Sequence, residues 1–112
     1  MPTAAAWALA VAIGCEVVGT IALKMSDGFA RPLPAMVTVV SYGAAFYAMS
    51  IALRTLPVGV VYAIWSGVGI VLISLIGFMV FDQALDVAAL IGLALIVAGV
   101  VVINGFSSSV HP

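Results

Sequence analysis

The sequence predicts an all-α membrane protein with four spanning helices. Three observations carry this. The chain is 66% hydrophobic and only 6% charged, whereas a soluble domain carries roughly 25% charged residues. Its uncharged runs extend from Pro32 to Leu53, from Thr55 to Phe81 and from Val87 to Val110, and a further apolar run surrounds Glu16. Each supplies the roughly 20 residues a helix needs to cross the hydrocarbon core. Finally, no stretch alternates apolar and polar side chains as a barrel strand would. Almost all of the 112 residues are then membrane, a single four-helix domain over 1–112. Any chemistry must sit between the helices.

The elements follow in order. Helix 1 is expected over about 4–23. The segment from Lys24 to Pro34 reads as a loop, with two bases, an acid, a glycine and two prolines that can open the next helix. Helix 2 is expected over about 35–53. Arg54 to Pro57 is a tight connection, and Pro57 suits the first turn of helix 3, about 58–81. Asp82 to Asp86 form the third loop, and Asp86 can cap helix 4, about 87–104. Gly105 to Pro112 read as a short polar, mobile tail, with His111 solvated in it.

Charge and cysteine usage narrow the function. A net charge of −1 supports no nucleic-acid partner. The lone cysteine, Cys15, excludes an intrachain disulfide and reads as a small packing residue. The first basic side chain, Lys24, follows the first apolar run instead of preceding it, which argues against a cleaved signal peptide. No residue cluster suggests a metal, a phosphate loop or a nucleophile–base pair, so neither enzyme chemistry nor a cofactor is expected.

Loop bases set membrane orientation, and here they nearly tie. Lys24 and Arg31 lie on one side, Arg54 and the terminal amine on the other. So weak a bias is compatible with insertion both ways up, and two copies in opposite orientations would form an inverted pair suited to alternating access.

Glu16 is the one charged side chain inside a long apolar run. A carboxylate at bilayer depth costs roughly 2.5–3.5 kcal/mol on insertion scales. Such a residue is expected to meet a cation or a proton. On a period of about 3.6 residues it shares a face with Leu9, Ala12, Ile13, Gly19 and Thr20, whose small members let another backbone approach. In helix 3, Tyr62, Trp65, Ser66 and Gly69 fall near one face. Tyr and Trp present π faces to a cation, and Gly67 and Gly69 weaken the helix where it could bend. Tyr42, Ala45, Phe46 and Met49 make a stripe on helix 2 that reads as packing. Gly92 and Gly99, seven apart on helix 4, suit close pairing with another helix.

Taken together these residues resemble the small multidrug resistance family of bacterial proton-coupled exporters. The resemblance rests on Glu16 to Thr20 (EVVGT), Lys24, Gly28-Phe29, the run from Pro57 to Ser74 (PVGVVYAIWSGVGIVLIS) and the Gly92/Gly99 pair. It covers about 10–104. It implies an antiparallel homodimer of four-helix protomers in the bacterial inner membrane with one shared binding chamber. It implies that Glu16 binds protons and substrate, that Tyr42, Tyr62 and Trp65 contact the substrate, and that Gly92 and Gly99 lie in the dimer interface. Ile13, Gly19 and the stretch from Gly69 to Ser74 resemble the branch exporting aromatic or quaternary ammonium cations. The guanidinium branch typically has a Gly three residues before the glutamate and a Trp three after it. Three positions depart from the multidrug pattern. Ala6 and Ala8 stand where Tyr is common, and Ala84 stands where the last loop often carries a base.

The expectation is therefore a proton-coupled antiporter for hydrophobic cations, in which proton and substrate compete for Glu16. In a dimer the two carboxylates would titrate as a coupled pair. The rivals are a guanidinium exporter, one subunit of a heterodimeric exporter, a rotary-motor proteolipid and a non-transporting assembly protein. Four spans argue against the proteolipid, which usually needs two, and an assembly protein leaves Glu16 without a role.

Overall fold

A computed structural model describes residues 2–110; His111 lies outside them. The described residues form four α-helices, α1 (Thr3–Met25), α2 (Pro32–Ala52), α3 (Val58–Val80) and α4 (Val87–Phe106). All four are long and apolar enough to cross a membrane. At about 1.5 Å per residue, the 23 residues of α1 or α3 span about 34 Å, which matches the hydrocarbon thickness with some tilt.

Boundaries differ from expectation at three ends. Helix α1 runs on to Met25, so Lys24 sits in its last turn and not in the loop. There a cation faces the negative end of the helix dipole. Helix α2 starts at Pro32, with both prolines inside its first turn. Proline has no N–H to leave orphaned there, and its fixed φ already suits a helix. Helix α4 continues to Phe106, beyond Asn104. Beyond it, Ser108 to Val110 form a turn, closed by the Val110 N–H on the Ser107 carbonyl at 3.2 Å, and Val110 is 1% exposed. Asp86 does cap α4, its carboxylate accepting from the Ala89 N–H at 2.8 Å.

The first loop is tied by Ser26, which is fully buried. Its hydroxyl donates to the Leu23 carbonyl at 2.7 Å and accepts from the Phe29 N–H at 3.1 Å. This knot holds Asp27, Gly28 and Phe29 in consecutive left-handed conformations, with φ of 51°, 64° and 67°. Only Gly28 adopts that region without a Cβ penalty.

Helix α1 is the centre of the bundle. It packs on α2 and on α3, and α4 packs on α3. The result is a slab, 46 × 35 × 17 Å by Cα extents. Its interior is rich in small side chains, including Ala5, Ala8, Ala12, Gly19, Ala22, Ala45, Ala48 and Ala52. In lipid no hydrophobic force draws helices together, so close packing of small residues supplies the association. Helix α4 has no buried residue at all.

Candidate substrate and proton site

The site forms where α1 meets α3. A cleft of about 220 Å³ is lined by Glu16 and Thr20 from α1, and by Tyr62, Trp65, Ser66, Gly69, Ile70 and Ile73 from α3. The helix period brings the α3 residues onto one stripe. A second cleft of about 150 Å³ shares Thr20 and Ile73 with the first and runs toward the loops, where Lys24, Phe81 and Gln83 line it. There the Lys24 ammonium lies 5.9 Å from the centre of the Phe81 ring, within cation–π range.

The Glu16 carboxylate is half-buried, and its two oxygens have different surroundings. Oε1 accepts a hydrogen bond from Thr20 Oγ1 at 2.9 Å. Oε2 lies against Gly69, 3.2 Å from where a Cβ would stand on that residue. Thr20 Oγ1 is also 2.7 Å from the Tyr42 hydroxyl. A hydroxyl carries one proton. With that proton given to Glu16, Tyr42 is the donor to Thr20. The chain Tyr42–Thr20–Glu16 therefore ties α2 to the carboxylate.

The aromatic side chains form an edge-to-face series. The Tyr62 and Trp65 rings are 5.4 Å apart at 81°, and Phe46 meets Trp65 at 6.2 Å and 64°. Such T-shaped geometry suits the ring quadrupoles. The Trp65 Nε1–H is buried with no hydrogen-bond partner among the described residues. Ser66 Oγ, by contrast, is committed to the Tyr62 carbonyl at 2.6 Å.

The sequence-predicted residues divide into groups. Glu16, Thr20, Tyr62, Trp65, Ser66 and Gly69 come together at the cleft, and Tyr42 joins them through Thr20. Leu9, Ala12, Ile13 and Gly19, expected as lining, are buried in the helix packing and are not among the residues of the cleft wall. They share the face of Glu16, but the neighbouring helices cover that part of it. Gly67 and Gly69 lie within an uninterrupted helix. In this conformation they act by close approach: a Cβ at Gly67 would stand 2.7 Å from Val100 on α4. Among the described residues no atom lies within 4 Å of a Cβ added at Gly92 or Gly99, so their stripe is open. Sequence reasoning treated Phe46 as packing and did not single out Ile70 and Ile73. The signals were present: Phe46 is one turn from Tyr42, and Ile70 and Ile73 are one turn from Ser66 and Gly69.

Comparison with known proteins bears on this arrangement. The family model described as Small Multidrug Resistance protein matches residues 5–96. A multidrug transporter of Pseudomonas aeruginosa is 57% identical over 99 residues, covering 88% of this chain and 90% of its own. The quaternary ammonium compound-resistance protein QacF of Klebsiella aerogenes is 52% identical over 96 residues, 86% and 87% of the two chains. The multidrug transporter EmrE of Escherichia coli is 50% identical over 98 residues, 88% and 89% of the two chains. With four apolar helices of spanning length, these relatives place the protein in the bacterial inner membrane as a multi-pass protein. The chain belongs to the small multidrug resistance family.

Proposed function

We propose that this protein is a proton-coupled antiporter that exports hydrophobic aromatic or quaternary ammonium cations by alternating access. The observation that carries the reading is the pairing of one membrane-embedded carboxylate with Tyr62 and Trp65 on the wall of a single cleft. A delocalised cation there meets a negative charge and π faces together, and both attractions strengthen away from water. Protonated Glu16 is neutral and has no charge to offer a cation. Deprotonated, it is the only anion in the cleft. Proton and cation then compete for one group, and inward proton flow drives outward cation flow. The names of the relatives, multidrug and quaternary ammonium resistance proteins, favour this substrate class over guanidinium ions.

The working unit in this reading is an antiparallel homodimer. The cleft of about 220 Å³ is smaller than the roughly 300–1,000 Å³ of sites for drug-sized ligands, so a second protomer would supply the missing wall. Helix α4, without a buried residue and with its glycine stripe open, is the surface by which the copies would pair. Exchanging which side each copy faces would carry the shared site across the membrane.

The test is Glu16→Gln in sealed vesicles. The amide is cheaper in lipid than the charge, so the chain still inserts, but it can neither release a proton nor hold a cation. Uptake of a quaternary cation driven by a pH gradient should vanish. Full uptake by this variant would end the proposal.

A further inference from the structure

The interior position of Gly19 has a consequence for the site. A Cβ on Gly19 would stand 2.6 and 2.7 Å from Cδ1 and Cε1 of Tyr42, and 3.3 Å from Cβ of Ser41. The first two distances are far inside van der Waals contact. They involve the flank of a ring, and Ser41 Cβ is fixed to the backbone of α2, so neither neighbour can yield at its tip. The Tyr42 ring thus lies across α1 in the space left by the absent side chain. From there its hydroxyl reaches Thr20, whose hydroxyl reaches Glu16.

We propose that Gly19 is a positioning residue: its missing side chain seats the Tyr42 ring, and that seat is what joins the helix 2 aromatic to the Glu16 carboxylate through Thr20. The inference rests on the antiporter reading of Glu16 and adds how substrate is sensed there. Donors in series polarise one another, so the Tyr42 bond strengthens the one Thr20 gives to Glu16. A bulky cation that displaces the Tyr42 ring withdraws that support at the moment it supplies its own charge. Gly19 and Tyr42 therefore act as one unit.

Few other groups bear on Glu16. The ionisable side chains on the helices packed against α1 are Tyr42 and Tyr47 of α2 and Tyr62 of α3. On α1 itself they are Cys15 and Lys24, and α4 carries none. Among the described residues, hydrogen bonds join only Tyr42 to the Thr20–Glu16 pair.

The experiment is proton release from purified protein on adding tetraphenylphosphonium, measured across pH. Gly19→Ala and Tyr42→Phe should each move the midpoint of release in the same direction by about half a pH unit, a roughly threefold change in proton affinity. The double variant should move it no further than the larger single change. Gly14→Ala is the control, since nothing lies within 4 Å of a Cβ there, and it should leave the profile in place. Should Gly19→Ala fail to fold, Thr20→Val with Gly19 intact removes the bond to Glu16 itself and should move the midpoint in the same direction and further than Tyr42→Phe, and their double variant should not exceed Thr20→Val alone. Additive shifts, or an unmoved midpoint in Gly19→Ala or Thr20→Val, would overturn the inference. Absence of release from the unsubstituted protein would instead overturn the antiporter reading itself.

Discussion

Oε2 of Glu16 rests against the backbone of Gly69, 3.2 Å from the place a Cβ would take. Glycine at 69 lets the carboxylate of α1 reach α3, while Thr20 holds the other oxygen. Gly69→Ala forces a displacement of a few tenths of an ångström on a group already held from behind. We expect tetraphenylphosphonium affinity to fall with the helical circular dichroism unchanged, and the fold to lose about 1–3 kcal/mol of stability, the usual cost of overpacking. Gly69→Val should abolish binding. Undiminished affinity in Gly69→Val would show that the carboxylate does not need this approach.

Recognition should depend on the α3 aromatics. Trp65→Ala removes a π face and breaks the series Phe46–Trp65–Tyr62, so aromatic cations should bind about 0.5–2 kcal/mol more weakly by equilibrium titration. Tyr62→Phe keeps the ring and should cost less. Trp7→Ala is the control, because Trp7 is 69% exposed on the outer side of α1. Equal losses from Trp7 and Trp65 would place the site elsewhere.

The four helices were legible because each apolar run is as long as the bilayer is thick, and charges and prolines separate the runs. The α3 half of the site was legible for a related reason: Tyr62, Trp65, Ser66 and Gly69 lie on one helix, so a single period relates them. What joins different helices was not. The fit of the Tyr42 ring onto Gly19 depends on the rotation and depth of α2 against α1, and no spacing within either helix encodes that. For the same reason Phe46 read as packing, although its ring meets Trp65. Gly67 and Gly69 read as weak points of a helix; each also makes room for a specific neighbour, Val100 and Glu16 respectively.

The glycines of α3 and α4 should separate folding from assembly. Gly67 already faces Val100, so Gly67→Leu should loosen the α3–α4 seam within one protomer and lower its thermal stability. Gly99 has open space before it, so Gly99→Leu should leave the protomer intact and weaken pairing of copies. Cross-linking yield and size-exclusion profile in mild detergent distinguish the two. Unchanged pairing in Gly99→Leu would remove this stripe from the interface.

Orientation should respond to small changes of charge. Lys24 and Arg31 stand on one side of the membrane against Arg54 on the other. Two lysines added between Asp82 and Asp86 would bring the first side to four bases and fix one orientation. That variant should lose transport alone and regain it with a partner biased the other way. Labelling of single introduced cysteines in intact cells reports the topology. Labelling of the unsubstituted loops from one side only would contradict insertion both ways and leave the Glu16 mechanism standing.

The central claim is that proton and cation exchange at one carboxylate. Purified protein in lightly buffered detergent solution, titrated with tetraphenylphosphonium while pH is recorded, tests it most directly. Saturable proton release should follow cation binding and be absent from Glu16→Gln. Cation binding without proton release, or release that persists in Glu16→Gln, would contradict it.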